Sequence, residues 1–291
     1  MSGGRARLLP LALSVGALLV AVVGAVVLLT GDGATPWAEQ ARDTAGQERD
    51  ASCRPGGQRP DREIIALARI VDGELGPMCF GGRHGIIAAW SVIDAVAPDE
   101  YREHVEWLGL IDEDSDVLAY TTPLGRIGEP FMLAFHVDLE PGTDLFTLTV
   151  AHELAHVVTS LATEIDTSGG PCTTFESYGA CFAADALVMD WIAAFWSDED
   201  LAGVAAPDDP QVDDGAQRCR LDAGLLGPYA AAHPEEDLAE AFSAFVFDVD
   251  VRDAVRPRLD FFEDVPAAVA FRDRARAKAG PAVSDVFDPC G

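Results

Sequence analysis

The run LLPLALSVGALLVAVVGAVVLL, from Leu8 to Leu29, carries no charged residue. As a helix rising ~1.5 Å per residue it would span roughly 33 Å, about one bilayer core, so it has no place on a water-facing domain surface. It is either an uncleaved transmembrane anchor or the apolar part of a cleaved secretory signal. Signal peptides usually have ~7–15 apolar residues followed by a small-x-small site. This run is longer, and the TGDGATPWAEQ after it offers only weak cleavage positions, so an anchor is expected. Arg5 and Arg7 precede it and acidic residues come after it. The positive-inside rule then leaves residues 1–7 as a cytoplasmic tail, 8–30 in the cell membrane and the rest outside. Secretion after signal cleavage is the alternative, and either way the body of the chain is extracytoplasmic.

The six cysteines, Cys53, Cys79, Cys172, Cys181, Cys219 and Cys290, all lie beyond that run and include no CxxC pair. Outside the cytoplasm an even set of this kind predicts three disulfides. Only one pairing is suggested locally, Cys172 with Cys181. The net charge is −29, with Lys278 the single lysine. A field of that sign repels nucleic acid and anionic headgroups, which excludes nucleic acid as a partner.

Residues 31–60 are rich in Gly, Pro, Ala and charge without an apolar period, and read as a flexible stalk. Residues 61–291 read as one extracytoplasmic domain, with no repeat and no second linker. Arg62 to Glu74 and Gly85 to Val96 show helical apolar spacing. Three β segments come next, Val105 to Ile111, Val117 to Thr122 and Phe131 to Leu139, separated by turns and expected as an antiparallel meander. Helices are expected from Asp144 to Ala162, through FAADALVMDWIAAFW, and in the segments after Gly224. The fold class is α+β, a small antiparallel sheet beside the helix at 144–162 and a mostly helical second half.

That helix carries AHELAH, residues 151–156. Residues four apart share a helix face, so His152 and His156 present two imidazoles at a separation one cation can bridge. Glu153 lies beside them, placed to hold a water and take its proton. Leu145, Leu148, Ala151, Leu154 and Val158 make the helix apolar, and unpaired imidazoles would be costly to bury there. A catalytic zinc needs a third protein ligand. The metzincin continuation is absent, since His156 is followed by VVTSLATEID.

A distal carboxylate is the other solution, and HPEEDLAEAF, residues 233–242, supplies candidates. Pro234 suits a first helical turn. Glu236 is the expected ligand, and Glu240, one turn on, would accept a hydrogen bond from the far nitrogen of a ligating histidine. Glu235 and Asp237 are the other carboxylates in register to ligate. His84, His104 and His136 lack ligand spacing and read as structural or surface residues.

AHELAH with YAAAHPEEDLAEAF about eighty residues later resembles the gluzincin-type bacterial zinc-binding metallopeptidases, a group similar to the anthrax lethal factor catalytic domain and the Mlc titration factor. The resemblance covers about Tyr101 to Val246 and implies a zincin-like fold and a Zn2+ cofactor. It makes Glu236 the third ligand, Glu240 an outer-sphere residue and Tyr229, seven positions before the ligand, the group that stabilises the transition state. It also implies that the strand before the zinc helix, about Phe131 to Asp138, lines the substrate cleft. A cation there would polarise a scissile carbonyl and lower a water's pKa toward ~7. Glu153 would shuttle the proton, and Tyr229 with His233 would donate to the oxyanion. The expected function is thus a membrane-anchored extracytoplasmic zinc metallopeptidase acting on a peptide or protein. The alternative is a non-catalytic metal-stabilised binding or scaffolding domain.

Overall fold

The computed structural model describes residues 37, 53–55, 64–112, 117–124, 130–177, 180–204, 212–279, 287 and 290. They belong to a unit that begins at Ala34. The expected tail and anchor, residues 1–30, lie outside the described residues. Among the described residues no helix is long and apolar enough to cross a membrane.

Five strands form one sheet in the order β2-β1-β3-β5-β4: β1 (Ile64–Val71), β2 (Glu74–Phe80), β3 (Val105–Ile111), β4 (Ala119–Pro123) and β5 (Phe131–His136). The first element corrects the sequence reading, because the described part of the segment expected as a helix over Arg62 to Glu74, from Ile64 on, is strand β1, the turn after it and the first residue of β2. Asp72 and Gly73, both at positive φ (51° and 72°), fold β1 back onto β2, the conformation in which Asp-Gly is favoured in two-residue hairpins. β1 reads as a continuous apolar run because both of its faces are covered. Ala66, Ala68 and Ile70 join the main core, while Ile64 and Leu67 join a second cluster on the opposite face.

The expected meander is also corrected. β3 and β5 are parallel neighbours, and β4, between them in sequence, pairs antiparallel to the far side of β5. The sheet is therefore mixed, and β4 is its edge. β5 is buried along its whole length, with Phe131, Leu133 and Phe135 facing the main core and Met132 and Ala134 the second cluster.

Helix α1 (Arg83–Val96) packs on β1 and β3, and short α2 (Asp99–Arg102) leads into β3. Helix α3 (Asp144–Thr159) starts at Thr143, whose side chain accepts from the Phe146 amide, with Asp144 in its first turn. Phe146 stacks on Phe135 of the sheet at 5.1 Å between ring centroids, fixing α3 against β5. Truncating a buried phenylalanine of this kind to alanine costs about 3–5 kcal/mol.

A small hairpin, β6 (Glu176–Ser177) and β7 (Ala180–Cys181), precedes α4 (Leu187–Phe195), α5 (Asp198–Leu201), α6 (Val212–Leu221), α7 (Pro228–Ala232), α8 (Pro234–Phe247), α9 (Arg256–Asp260) and α10 (Pro266–Ala279). Of these, α8 is buried all round except at Glu240, as befits a helix enclosed by α3, α4, α7 and α10 rather than one lying on a surface. Tyr101, Phe242, Phe262 and Phe271 interlock around it edge to face.

All six cysteines are paired: Cys53–Cys79, Cys172–Cys181 and Cys219–Cys290. The local pairing expected from sequence is among them. Three disulfides suit an oxidising, extracytoplasmic compartment. In the expected stalk, two described residues are folded onto the domain. Trp37, 6% exposed, joins the main core, and Cys53 is held to β2 through Cys79.

Candidate metal centre

The fold brings α3 and the first turn of α8 face to face, and with them three side chains 84 residues apart at the extremes. His152 Nε2 lies 3.1 Å from His156 Nε2 and 3.1 Å from Glu236 Oε2. His156 Nε2 lies 3.3 Å from the same oxygen. Two nitrogens and an oxygen bound at ~2.0–2.2 Å around a tetrahedral cation would stand about 3.3 Å apart. The observed triangle has that size, so these three residues are placed to hold one metal ion. The donor set suits zinc, which takes imidazole nitrogen and carboxylate oxygen together.

Without a cation the triangle has an electrostatic cost. Both Nε2 atoms and Oε2 offer lone pairs toward one point, so a proton must intervene. Burial works against charge on His156. The Glu236 carboxylate, through its charge and as hydrogen-bond acceptor, with Glu153 and Glu235 beyond, outweighs burial and lifts the imidazolium to about 9. Burial alone would raise Glu236, yet the His156 charge and the hydrogen bonds of both imidazoles hold it well below the usual carboxylate range.

Glu153 is buried on α3, 5% exposed. Burial pushes its carboxyl above the ordinary value, opposed by both histidines and by the Thr121 hydroxyl, which donates to Glu153 Oε2 at 2.8 Å. Thr121 comes from β4. The strand beside the candidate centre is thus the sheet edge, and the segment Phe131 to Asp138 does not line it, because β5 sits between β3 and β4 with all its residues buried.

Tyr229, on α7, packs its ring 6.1 Å from that of His152, with Glu236 and Glu153 as its charged neighbours. Burial, then the charges of Glu236 and Glu153, raise its pKa well above that of a free tyrosine, so it remains a donor. His233 caps α8: its Nδ1 accepts from the Glu235 amide at 3.3 Å. That bond assigns the proton to Nε2, which is buried with no partner among the described residues. Burial, partly offset by Glu236, lowers His233 to about 4, so the ring is neutral.

Glu240 takes a different place from the expected one. Among the described residues no hydrogen bond joins it to either imidazole; one oxygen accepts from the Ala230 amide and Oε2 has no partner. Burial and the neighbouring Glu236 and Asp237 raise it well above the usual carboxylate range. The other two candidate carboxylates do not reach the triangle. Glu235 accepts from Ser177 of the β6 hairpin, and Asp237 turns to the far side of α8, where Trp191, Trp196 and Arg258 bind it. Of the remaining histidines, His136 is buried and accepts from the Asp138 amide through Nδ1, while His84 is exposed.

The sequence reading missed Thr121 and Ser177. Neither lies in a motif, and each meets its carboxylate only through the topology, across 32 and 58 residues respectively.

No family model matches the chain, and no curated protein matches it. Among solved structures, one from Bacteroides caccae described as a "putative zinc-binding metallo-peptidase" is 13% identical, with a TM-score of 0.33 over 67% of this chain and 74% of that one. At that level the assignment rests on the geometry of the centre itself.

Proposed function

We propose that this chain is a zinc-dependent metallopeptidase held outside the cell membrane by the apolar segment at residues 8–30. The observation that carries the reading is the convergence of His152, His156 and Glu236 within 3.1–3.3 Å of one another, with Glu153 buried beside them. Metal binding alone requires only the three ligands. A carboxylate one residue from a ligand and a phenol packed against the same cluster are additional, and they are what hydrolysis uses.

Zinc at this centre would polarise the scissile carbonyl and make a water acidic enough to lose its proton near neutral pH. Glu153, buried beside the ligands, would accept that proton and return it to the leaving amine. Tyr229 donates to the oxygen that becomes negative, and His233, neutral and carrying its proton on Nε2, is a second donor for the same role. The peptide would lie along the outer edge of β4, which no strand pairs with among the described residues, as an added strand. With 49 acidic residues against 20 basic ones, the surface favours approach of neutral or cationic segments.

The test compares the purified ectodomain with Glu153→Gln on a mixed peptide library. The expected result is metal-dependent cleavage by the natural chain, abolished by chelation, and equal zinc content but no cleavage in the variant. If both are inert while binding zinc, the domain is a metal-stabilised binding module.

A further inference from the structure

Thr121 has one hydroxyl proton and two acceptors within reach, both belonging to Glu153: the carboxylate Oε2 at 2.8 Å and the backbone carbonyl at 3.0 Å. Its side chain reaches this carboxylate across from the sheet rather than from α3 itself. The backbone of the same residue is equally well placed. Leu124 donates to Pro130, and His136 donates to Leu118, which fixes the even-numbered residues of this antiparallel pair as those bonded to β5. Ala119, Thr121 and Pro123 therefore turn their backbone groups to the outer edge, where no strand pairs with β4 among the described residues. Their side chains face α3, and Tyr120 faces the second core cluster on the other side. Pro123 has no amide proton, so the edge offers donors at 119 and 121 and stops there.

Resting on the peptidase reading, we infer that Thr121 is a positioning residue for the general base: its backbone pairs with the substrate while its hydroxyl holds Glu153. The hydroxyl occupies Oε2 and leaves Oε1 to meet the water. The Glu153 carbonyl, at 3.0 Å, is the alternative acceptor for the same hydroxyl, so Thr121 stays tied to this residue of α3 in either orientation. Because backbone and hydroxyl belong to one residue, a peptide seated on the edge strand fixes the strand that aims the base.

Thr121→Val tests this, since it keeps a β-branched side chain of similar shape on the strand and removes only the hydroxyl. The ectodomain variant is expected to bind one zinc with the natural affinity in a chelator competition and to hold its KM within about twofold, while kcat falls by roughly 10–100-fold. A crystal structure of the variant is expected to show the Glu153 carboxylate in more than one orientation. Thr121→Ser, which restores the donor, is expected to recover most of kcat. Should Thr121→Val misfold, Thr121→Ser against Thr121→Ala makes the same comparison. Natural kcat in Thr121→Val, an unmoved carboxylate, or a loss that Thr121→Ser does not recover overturns the inference. An inert natural enzyme would instead sink the peptidase reading.

Discussion

Glu236 and Asp237 are consecutive acidic residues in the first turn of the same buried helix, and they sit in opposite kinds of surroundings. Asp237 is fully buried and satisfied by the protein itself. The indole N–H groups of Trp191 and Trp196 donate to it at 3.1 and 3.0 Å, and Arg258 donates at 3.0 Å and is in turn held by Asp222. Its partners are donors that cannot act as acceptors. Glu236 faces two imidazole nitrogens that are acceptors unless protonated. One side of the turn is complete with protein atoms alone; the other needs a cation or a proton to be neutral. A closed polar network of this kind stabilises and orients the turn, whereas an open one is a binding site. Asp237 thus anchors the helix while its neighbour is free to ligate.

Four substitutions or titrations would break or sharpen that contrast. The largest effect is expected for Glu236→Gln, which removes an anionic ligand. Zinc affinity measured by chelator competition should fall by more than about 100-fold, the upper range for loss of even an outer-sphere partner, and cleavage should fall with it. Tyr229→Phe should keep the zinc and lower kcat by about 10²–10³, as expected for loss of one oxyanion donor. Asp237→Asn should act on the other side of the turn. With Arg258 left buried beside a neutral partner, stability should drop by about 3–5 kcal/mol in denaturant titration, with the folded fraction still binding one zinc. If Asp237→Asn instead emptied the centre without destabilising the chain, the division between anchor and ligand would be wrong.

The pH dependence should give the smallest effect. In the chelated protein His156 titrates at about 9, above its unfolded value of ~6.5. Its folded-state pKa is raised, so its contribution to stability is fully present below pH ~6.5 and is lost as the pH rises through about 9. Zinc displaces that proton. Thermal scans in chelator should therefore show Tm declining across this window, and zinc affinity should rise across it by up to about tenfold per pH unit. A pH-independent affinity would mean that His156 is not a ligand.

How much of the molecule can be read from the sequence depends on how local each signal is. AHELAH is legible because both imidazoles and the base lie within five residues of one helix, and the helix announces itself through Thr143, Asp144 and a sustained apolar face. Glu236 is legible because Pro234 marks the helix start and so sets the phase of the turns after it. β1 is not legible as a strand by periodicity, since Ile64–Val71 is covered on both faces and an apolar run then lacks the alternation that marks a half-exposed strand. Its local signal is Asp72–Gly73, a hairpin turn masked by the helical spacing beside it. The parallel pairing of β3 and β5 leaves no mark in either strand, and this hides the identity of the edge strand and of Thr121. Trp37, an isolated indole in a polar stretch, and Cys53, one of the even set of cysteines, are the signs that the expected stalk is partly folded onto the domain. Glu240 departs from its expected place for a different reason. Four-residue spacing puts it on the face of Glu236, but its surroundings are burial, two neighbouring carboxylates and the Ala230 backbone rather than an imidazole.

The central claim is that one cation sits between α3 and α8, and anomalous scattering at the zinc edge from crystals of the ectodomain tests it directly. A single peak per chain is predicted, bonded to His152 Nε2, His156 Nε2 and a Glu236 oxygen. A peak bound by other residues, or zinc-soaked crystals with no peak between these two helices, would contradict it.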